Sequence, residues 1–269
     1  MAQQPIRFDD GVAYERMMAV WSRSVGEIFL DWLAPAAGQR WIDVGCGNGA
    51  FTELLMRRCA PAEIQGIDPS AQQIAFARTK PGTHGAVFQQ ADAMALPFDA
   101  DRFDAAIMAL VIHFVPDPAQ CVGEMARVVR PGGTVATYVW DQPGGGSPTA
   151  PINAALRTMG IAPPAPPSGS ATSLAALRTL WTGAGGTDAG LEAIETRTIT
   201  VQRTFENFAD FWQATTDTGT LKPTLATMDA TALAELQANV RTLLPADAQG
   251  RITYESRANA VKGRRPMAS

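Results

Sequence analysis

The chain has little of several features that would mark particular classes of protein. Its 269 residues include only two histidines and three cysteines, and the cysteines form no Cys-x-x-Cys pair. This composition argues against a zinc site or a disulfide framework, and it favours a reducing, cytoplasmic setting. Charge is modest too, with 22 basic and 26 acidic residues and a formal net charge of −4. Nucleic-acid binders usually carry a basic face, so we expect no nucleic-acid partner.

Long apolar runs are also missing. None reaches the roughly 18–20 residues that would span a bilayer, and the first residues lack the charged-then-apolar pattern of a signal peptide. Hydrophobic residues make up 46% of the chain and charged residues 18%, as in ordinary globular proteins. We therefore expect a cytoplasmic protein without a membrane span, large enough for one α/β domain or two small ones.

The middle of the chain has the pattern of an α/β fold. From Arg40 to Trp140, short apolar runs alternate with amphipathic stretches, which is typical of βαβ units and a parallel sheet. The predicted strands are Trp41–Val44, Ile64–Ile67, Ala86–Gln89, Phe103–Leu110, Thr134–Trp140, Glu192–Phe205 and Ile252–Lys262. The predicted helices are Val12–Leu33 with an interruption near Gly26, Phe51–Cys59, Ser70–Arg78, Asp117–Arg130, Ile152–Met159, Phe208–Trp212 and Asp229–Leu244.

A glycine-rich loop, Asp43-Val-Gly-Cys-Gly-Asn-Gly49, follows the first strand. Glycines let the backbone turn tightly and approach a ligand without a Cβ in the way. These glycines also satisfy the Gly-x-Gly-x-x-Gly/Ala fingerprint of dinucleotide-binding proteins, so alone they do not choose a ligand. Asp43 helps to choose, because a carboxylate here would repel a pyrophosphate. It would attract S-adenosylmethionine (SAM), which carries a positive sulfonium and a positive ammonium.

Two further aspartates follow the next two strands. Asp68 ends the second strand, where a carboxylate can accept hydrogen bonds from both ribose hydroxyls of NAD or of SAM. Asp92 follows the third strand and could accept from an adenine amine. Each aspartate taken singly is more simply a turn or cap residue. Three at successive strand ends favour a ligand, because open α/β sheets bind ligands at the carboxyl ends of their strands.

Taken together, these motifs resemble those of class I SAM-dependent methyltransferases. The resemblance is closest to the small-molecule group that includes the ubiquinone- and menaquinone-biosynthesis methyltransferases, and it covers Arg40 to Trp140 in motif order. The segments that carry it are Asp43-Val-Gly-Cys-Gly-Asn-Gly49, Gly66-Ile-Asp-Pro-Ser70, Ala91-Asp-Ala-Met-Ala-Leu-Pro-Phe98, Phe103-Asp104 and Arg130-Pro-Gly-Gly133.

The family resemblance implies a fold and a set of cofactor contacts. The fold is a doubly wound, mostly parallel seven-stranded sheet with helices on both faces, its last strand antiparallel and inserted beside the fifth. Gly45 and Gly47 would line the methionine portion of SAM, Asp68 would hold the ribose, and Asp92 with Ala93 would hold the adenine. The remaining implied contacts are Asp43, Cys46, Pro69, Gln73, Met94 and the carbonyl of Ala109, which would accept from the ammonium.

The acceptor side carries weaker signals. His113 follows the fourth strand and is the one candidate base, although a structural role for a neutral imidazole is the more common case. Tyr14, Met18 and Trp21 lie at helical spacing and would be either core or part of a lid over an acceptor pocket. In the lid interpretation, Arg23 would pair with the SAM carboxylate. No metal ligands are predicted.

We therefore expect one methyltransferase domain over residues 1–269. Residues 1–38 would form a helical lid, 39–141 the SAM-binding core, and 142–269 a cap that also completes the sheet. The expected reaction gives a methylated small molecule and S-adenosylhomocysteine, in a monomer or homodimer. A non-catalytic SAM- or metabolite-binding regulator is an open alternative. An NAD-dependent oxidoreductase is disfavoured by Asp43 and Asp92 and by the lack of an evident Tyr-x-x-x-Lys.

Overall fold

A computed structural model describes residues 11–183, 190–216 and 220–267, with side chains from residue 20 onward. Its strands are β1 Arg40–Val44, β2 Glu63–Asp68, β3 Val87–Gln90, β4 Phe103–Ala109, β5 Val129–Trp140, β6 Glu192–Phe205 and β7 Ile252–Arg264. Its helices are α1 Gly11–Leu33, α2 Ala50–Cys59, α3 Ala71–Thr79, α4 Pro118–Val128, α5 Ala150–Thr158, α6 Leu174–Thr182, α7 Phe208–Thr216, α8 Lys222–Ala226 and α9 Ala230–Leu243.

The seven strands form one sheet in the order β3-β2-β1-β4-β5-β7-β6. Strands β1 to β5 pair in parallel, whereas β7 runs antiparallel to both of its neighbours, β5 and β6. The sheet therefore confirms the predicted fold class, with the last strand in sequence inserted beside the fifth. The carboxyl ends of β1, β2 and β4 consequently lie side by side at one edge of the sheet, where an α/β fold binds ligands.

Helices cover both faces of the sheet. On one face, α1, α2, α5, α7 and α9 pack over side chains from β1, β5, β6 and β7 in the larger core cluster. On the other face, α4 and α6 pack over a second cluster that includes the fully buried β4 residues Phe103, Ala106 and Met108. Burial on both faces explains why β4 reads as a nearly continuous apolar run. No described helix is both long enough and apolar enough to cross a membrane.

Local capping explains where several helices begin. The Ser70 hydroxyl accepts from the Gln73 amide at the start of α3, as its position in the sequence predicts. Asp117 accepts from the Gln120 amide at the start of α4, ahead of a proline at the first helical position. Helix α6 was not predicted, although Ser173 caps it by accepting from the Ala176 amide. The short helix α8 was not predicted either.

Several predicted features differ from the structure, among them the end of α7, which lies at Thr216 rather than at Trp212. Helix α1 continues through Gly26 without the predicted interruption. A Cβ at Gly26 would come within 2.7 Å of a Leu54 methyl group, so this glycine allows α1 and α2 to approach closely. The fifth strand begins at Val129 and includes the Pro131-Gly-Gly133 segment, which was predicted to precede it. Gly132 has a φ of 75° there, and the pairing of β4 with β5 shifts register at this end.

Candidate functional site

The loop between β1 and α2 depends on three glycines in the left-handed region. Gly45, Gly47 and Gly49 have φ values of 74°, 52° and 78°, a conformation that costs other residues about 1–2 kcal/mol. The amides of Gly45 and Cys46 both donate to the Ile67 carbonyl, at 2.8 and 2.9 Å. These bonds hold the loop across the end of β2.

The first two glycines face different surroundings. A Cβ at Gly45 would lie 2.6 Å from Cγ1 of Val111, so the loop is packed directly against the segment that follows β4. A Cβ at Gly47 would meet no atom within 4 Å and would extend into open space. Gly45 is thus needed for packing, whereas Gly47 leaves space that a ligand can occupy.

Asp68 is fixed by two backbone amides. Its Oδ2 accepts from the Gly47 amide at 3.0 Å, and its Oδ1 accepts from the Ser70 amide at 2.9 Å. Burial raises the pKa of Asp68 above its ordinary value, while the two amides partly offset that rise. The carboxylate therefore joins the glycine loop to the start of α3, with its orientation set before any ligand arrives.

Asp43 lies beneath the loop and is fully buried. Its Oδ2 accepts from the Thr52 hydroxyl of α2 at 2.6 Å, and its Oδ1 has no hydrogen-bond partner among the described residues. Burial raises the pKa of Asp43 from 3.8 to about 7, and the charge of Asp68 adds to that rise. A positive ligand group near the loop would offset the cost of ionising this carboxyl group.

Asp92 is exposed and closes a turn after β3. Its Oδ1 accepts from the Met94 amide at 2.8 Å, and its carbonyl accepts from the Ala95 amide at 3.1 Å. The turn-forming role and a ligand-binding role are both compatible with this position, because Asp92 and the buried Ala93 also face a cavity.

These features surround a cavity of about 530 Å³ at the carboxyl edge of the sheet. Such a volume is within the range of small-molecule sites. The predicted cofactor residues that line it are Gly45, Cys46, Gly47, Asp68, Pro69, Gln73, Asp92, Ala93 and Ala109. The cavity thus brings together residues that follow β1, β2, β3 and β4.

Other predicted residues lie outside the cavity lining. Met94 forms the turn described above, and Asp43 lies beneath the loop. Arg23 is exposed on α1. Trp21 is buried, with its ring about 6.4 Å from that of Trp140, so it belongs to the core. The side chains of Tyr14 and Met18 lie outside the described residues.

His113 also lies away from the cavity lining. It is in a short 3₁₀ turn after β4, with its side chain buried and its ring centroid 3.9 Å from that of Phe114. Burial lowers the pKa of His113 to about 3, which makes the imidazole a weak base at neutral pH. Its carbonyl accepts from the Ser168 amide at 3.0 Å. The geometry therefore favours the structural role.

Several residues of the cavity lining were not predicted as site residues, and three of them come from separate elements. Ser22 lines the cavity from α1, one residue before Arg23. Leu110 lines it at the end of β4 and has a φ of 60°, which is unusual for a bulky residue. Tyr138 reaches it from β5, and its ring centroid lies 4.8 Å from that of Phe29 and 5.6 Å from that of Phe51. The lining after β4 is otherwise apolar, with Val111, Phe114 and Val115.

Residues 42–137, from β1 to the end region of β5, match the family described as a methyltransferase domain. Over these residues the chain is similar to that family. The match confirms the family resemblance of the motifs, and it encloses the glycine loop and all three aspartates.

The chain spans only about a third to a half of the length of two curated relatives. A fatty-acid O-methyltransferase of Mycolicibacterium smegmatis is 38% identical over 100 residues, which are 37% of this chain and 36% of that protein. A demethylmenaquinone methyltransferase of Thermus thermophilus is 32% identical over 125 residues, or 46% of this chain and 55% of that protein.

The fold extends further than the sequence similarity. The YcgJ protein of Bacillus subtilis superposes with a TM-score of 0.60 at 17% identity, covering 91% of this chain and 100% of that one. This likeness shows a shared fold for most of the chain.

Proposed function

We propose that the chain is a SAM-dependent methyltransferase that transfers a methyl group to a small organic molecule. The observation that carries this proposal is the cavity, which joins the glycine loop and Asp68 at the carboxyl edge of a methyltransferase domain. The lining contains the carboxylates of Asp68 and Asp92 and the apolar side chains of Val111 and Phe114. This supports two ligands, with the nucleoside near the two aspartates and the acceptor near the apolar side chains.

The residues of the cavity fit SAM better than NAD. The open space at Gly47 allows the methionine portion to approach the backbone, and Asp68 presents a pre-oriented carboxylate to the ribose. Asp43 supplies a buried acidic group beneath the loop, which favours a ligand with a positive reactive end. A pyrophosphate in the same place would meet acidic groups instead.

Catalysis in this proposal rests on positioning. When bound, SAM supplies a methyl group that its sulfonium already activates, so displacement needs alignment with the acceptor more than it needs a protein nucleophile. Holding two reactants in line can provide roughly 7–11 kcal/mol of the barrier. Phe51, Val111 and Tyr138 would exclude water around the acceptor, and His113 would support the turn after β4 from outside the cavity.

The experiment that tests this proposal is turnover of methyl-labelled SAM with a panel of small acceptors. The panel pairs apolar molecules that differ only in the accepting group, namely carboxylic acid, phenol, amine and activated carbon. Labelled product with at least one acceptor supports the proposal. If the chain binds SAM but transfers no labelled methyl group to any member of the panel or to any component of a metabolite extract, a non-catalytic regulator is supported instead.

A further inference from the structure

One edge of the sheet is formed by the long strand β6. Its 14 residues pair with β7 on one side only, and no other strand among the described residues pairs with it. An edge strand presents unpaired amides and carbonyls and is a template for pairing with another chain. A bulge near Ala193, which has a φ of 49°, interrupts the start of β6, so the regular part begins at Glu195.

The regular part of β6 carries charges that are complementary to themselves. Glu195 lies near its start, and Arg197 and Arg203 follow on the same face of the strand. A second copy related by a two-fold axis perpendicular to the sheet would run antiparallel, and opposing residues would share a face. If Ile199 lies on that axis, Glu195 of each copy faces Arg203 of the other.

Neighbouring registers are less favourable. Moving the axis by one residue to Thr200 would place Arg197 opposite Arg203 in both halves of the interface. Moving it to Thr198 would leave every charge opposite an uncharged residue. Opposite charges across a strand pair stabilise it and like charges destabilise it. An axis at Thr196 would also place Glu195 opposite Arg197, but the regular parts of the two strands would then overlap only over residues 195–197. The axis at Ile199 pairs Glu195 with Arg203 and overlaps residues 195–203, so the sequence of β6 favours it.

We propose that β6 is a self-association surface, through which two copies of the chain pair their edge strands antiparallel over residues 195–203. The two seven-stranded sheets then continue into one another. The guanidinium of Arg203 lies 4.5 Å from the centroid of the Phe205 ring on the same strand, and its buried Nη1 has no hydrogen-bond partner among the described residues, so this group has unused donor capacity. Within the part of its own chain that the structure describes, Glu195 forms an ion pair with Lys262, at 3.4 Å.

The test is sedimentation of the full chain and of charge variants at low salt. The wild-type chain is expected to form a dimer. Glu195→Arg and Arg203→Glu each place like charges opposite one another twice, so each is expected to raise the dimer dissociation constant on the order of tenfold or more. Mixing the two variants restores both ion pairs, so the mixture is expected to form a heterodimer.

Arg197→Glu is the matched control, because Arg197 faces the uncharged Val201 of the other copy. It reverses a charge on the same strand and is expected to leave the dimer intact. Glu195→Gln and Arg203→Gln remove the same ion pairs without reversing a charge, and they serve if a charge reversal prevents folding. Circular dichroism checks that each variant is folded. A monomeric wild-type chain, single variants that dimerise as tightly as wild type, or a mixture that fails to associate would overturn the proposal.

Discussion

Replacing Gly45 with alanine tests whether the glycine loop is held by packing against the segment after β4. The new Cβ would lie 2.6 Å from Cγ1 and 3.0 Å from Cβ of Val111, and the residue has a φ of 74°. The left-handed conformation costs about 1–2 kcal/mol, and overpacking adds about 1–3 kcal/mol. We therefore expect Gly45→Ala to lower the free energy of unfolding by roughly 2–5 kcal/mol.

Gly47→Ala is the matched control for this substitution. Gly47 is also left-handed, but its Cβ would meet no atom, so only the conformational cost of about 1–2 kcal/mol remains. Because that Cβ enters the cavity, the variant should instead weaken SAM binding. Urea unfolding without ligand measures both free energies, and Val111→Ala in the Gly45→Ala background should recover part of the loss. Equal stabilities of the two alanine variants would refute the packing argument.

Three further predictions concern single side chains. Because the pKa of Asp43 is higher in the folded than in the unfolded chain, protonation of this carboxyl group favours folding. The free energy of unfolding should therefore fall as pH rises from about 4 through about 7. Unfolding titrations of Asp43→Asn should show a weaker dependence on pH over that range. His113→Ala should lower the free energy of unfolding by about 2–3 kcal/mol through lost packing. The pH profile of turnover should stay unchanged. Loss of its acidic or alkaline limb would instead indicate that His113 acts as a base. Arg23→Ala should change SAM affinity less than twofold by calorimetry, because Arg23 is exposed and outside the cavity lining.

Sequence periodicity predicted the sheet well because its signals are local. Each strand of the core is a short apolar run, and the glycine loop and Asp68 are contiguous motifs whose geometry follows from a few residues. The interruption predicted at Gly26 was wrong because the glycine serves a contact with Leu54, which is distant in sequence. Helix α6, which was not predicted, has a local sequence signal in its Ser173 cap.

The acceptor side was harder to predict because it is assembled from separate elements. Ser22, Leu110 and Tyr138 come from a helix, a strand end and another strand, and no local pattern links them. The burial of His113 depends on the chain returning near Ser168, whose amide donates to the His113 carbonyl. The position of His113 after β4 is compatible with a catalytic base, but tertiary packing places its ring away from the cavity lining.

The central claim is that the cavity binds SAM through the glycine loop and Asp68. Calorimetric titration of the chain with SAM, S-adenosylhomocysteine and NAD in parallel tests it most directly. We expect one site that binds SAM and S-adenosylhomocysteine and no binding of NAD. The affinity for SAM should be lower in Asp68→Asn. Binding of NAD in place of SAM, or SAM affinity unaffected by Asp68→Asn, would contradict it.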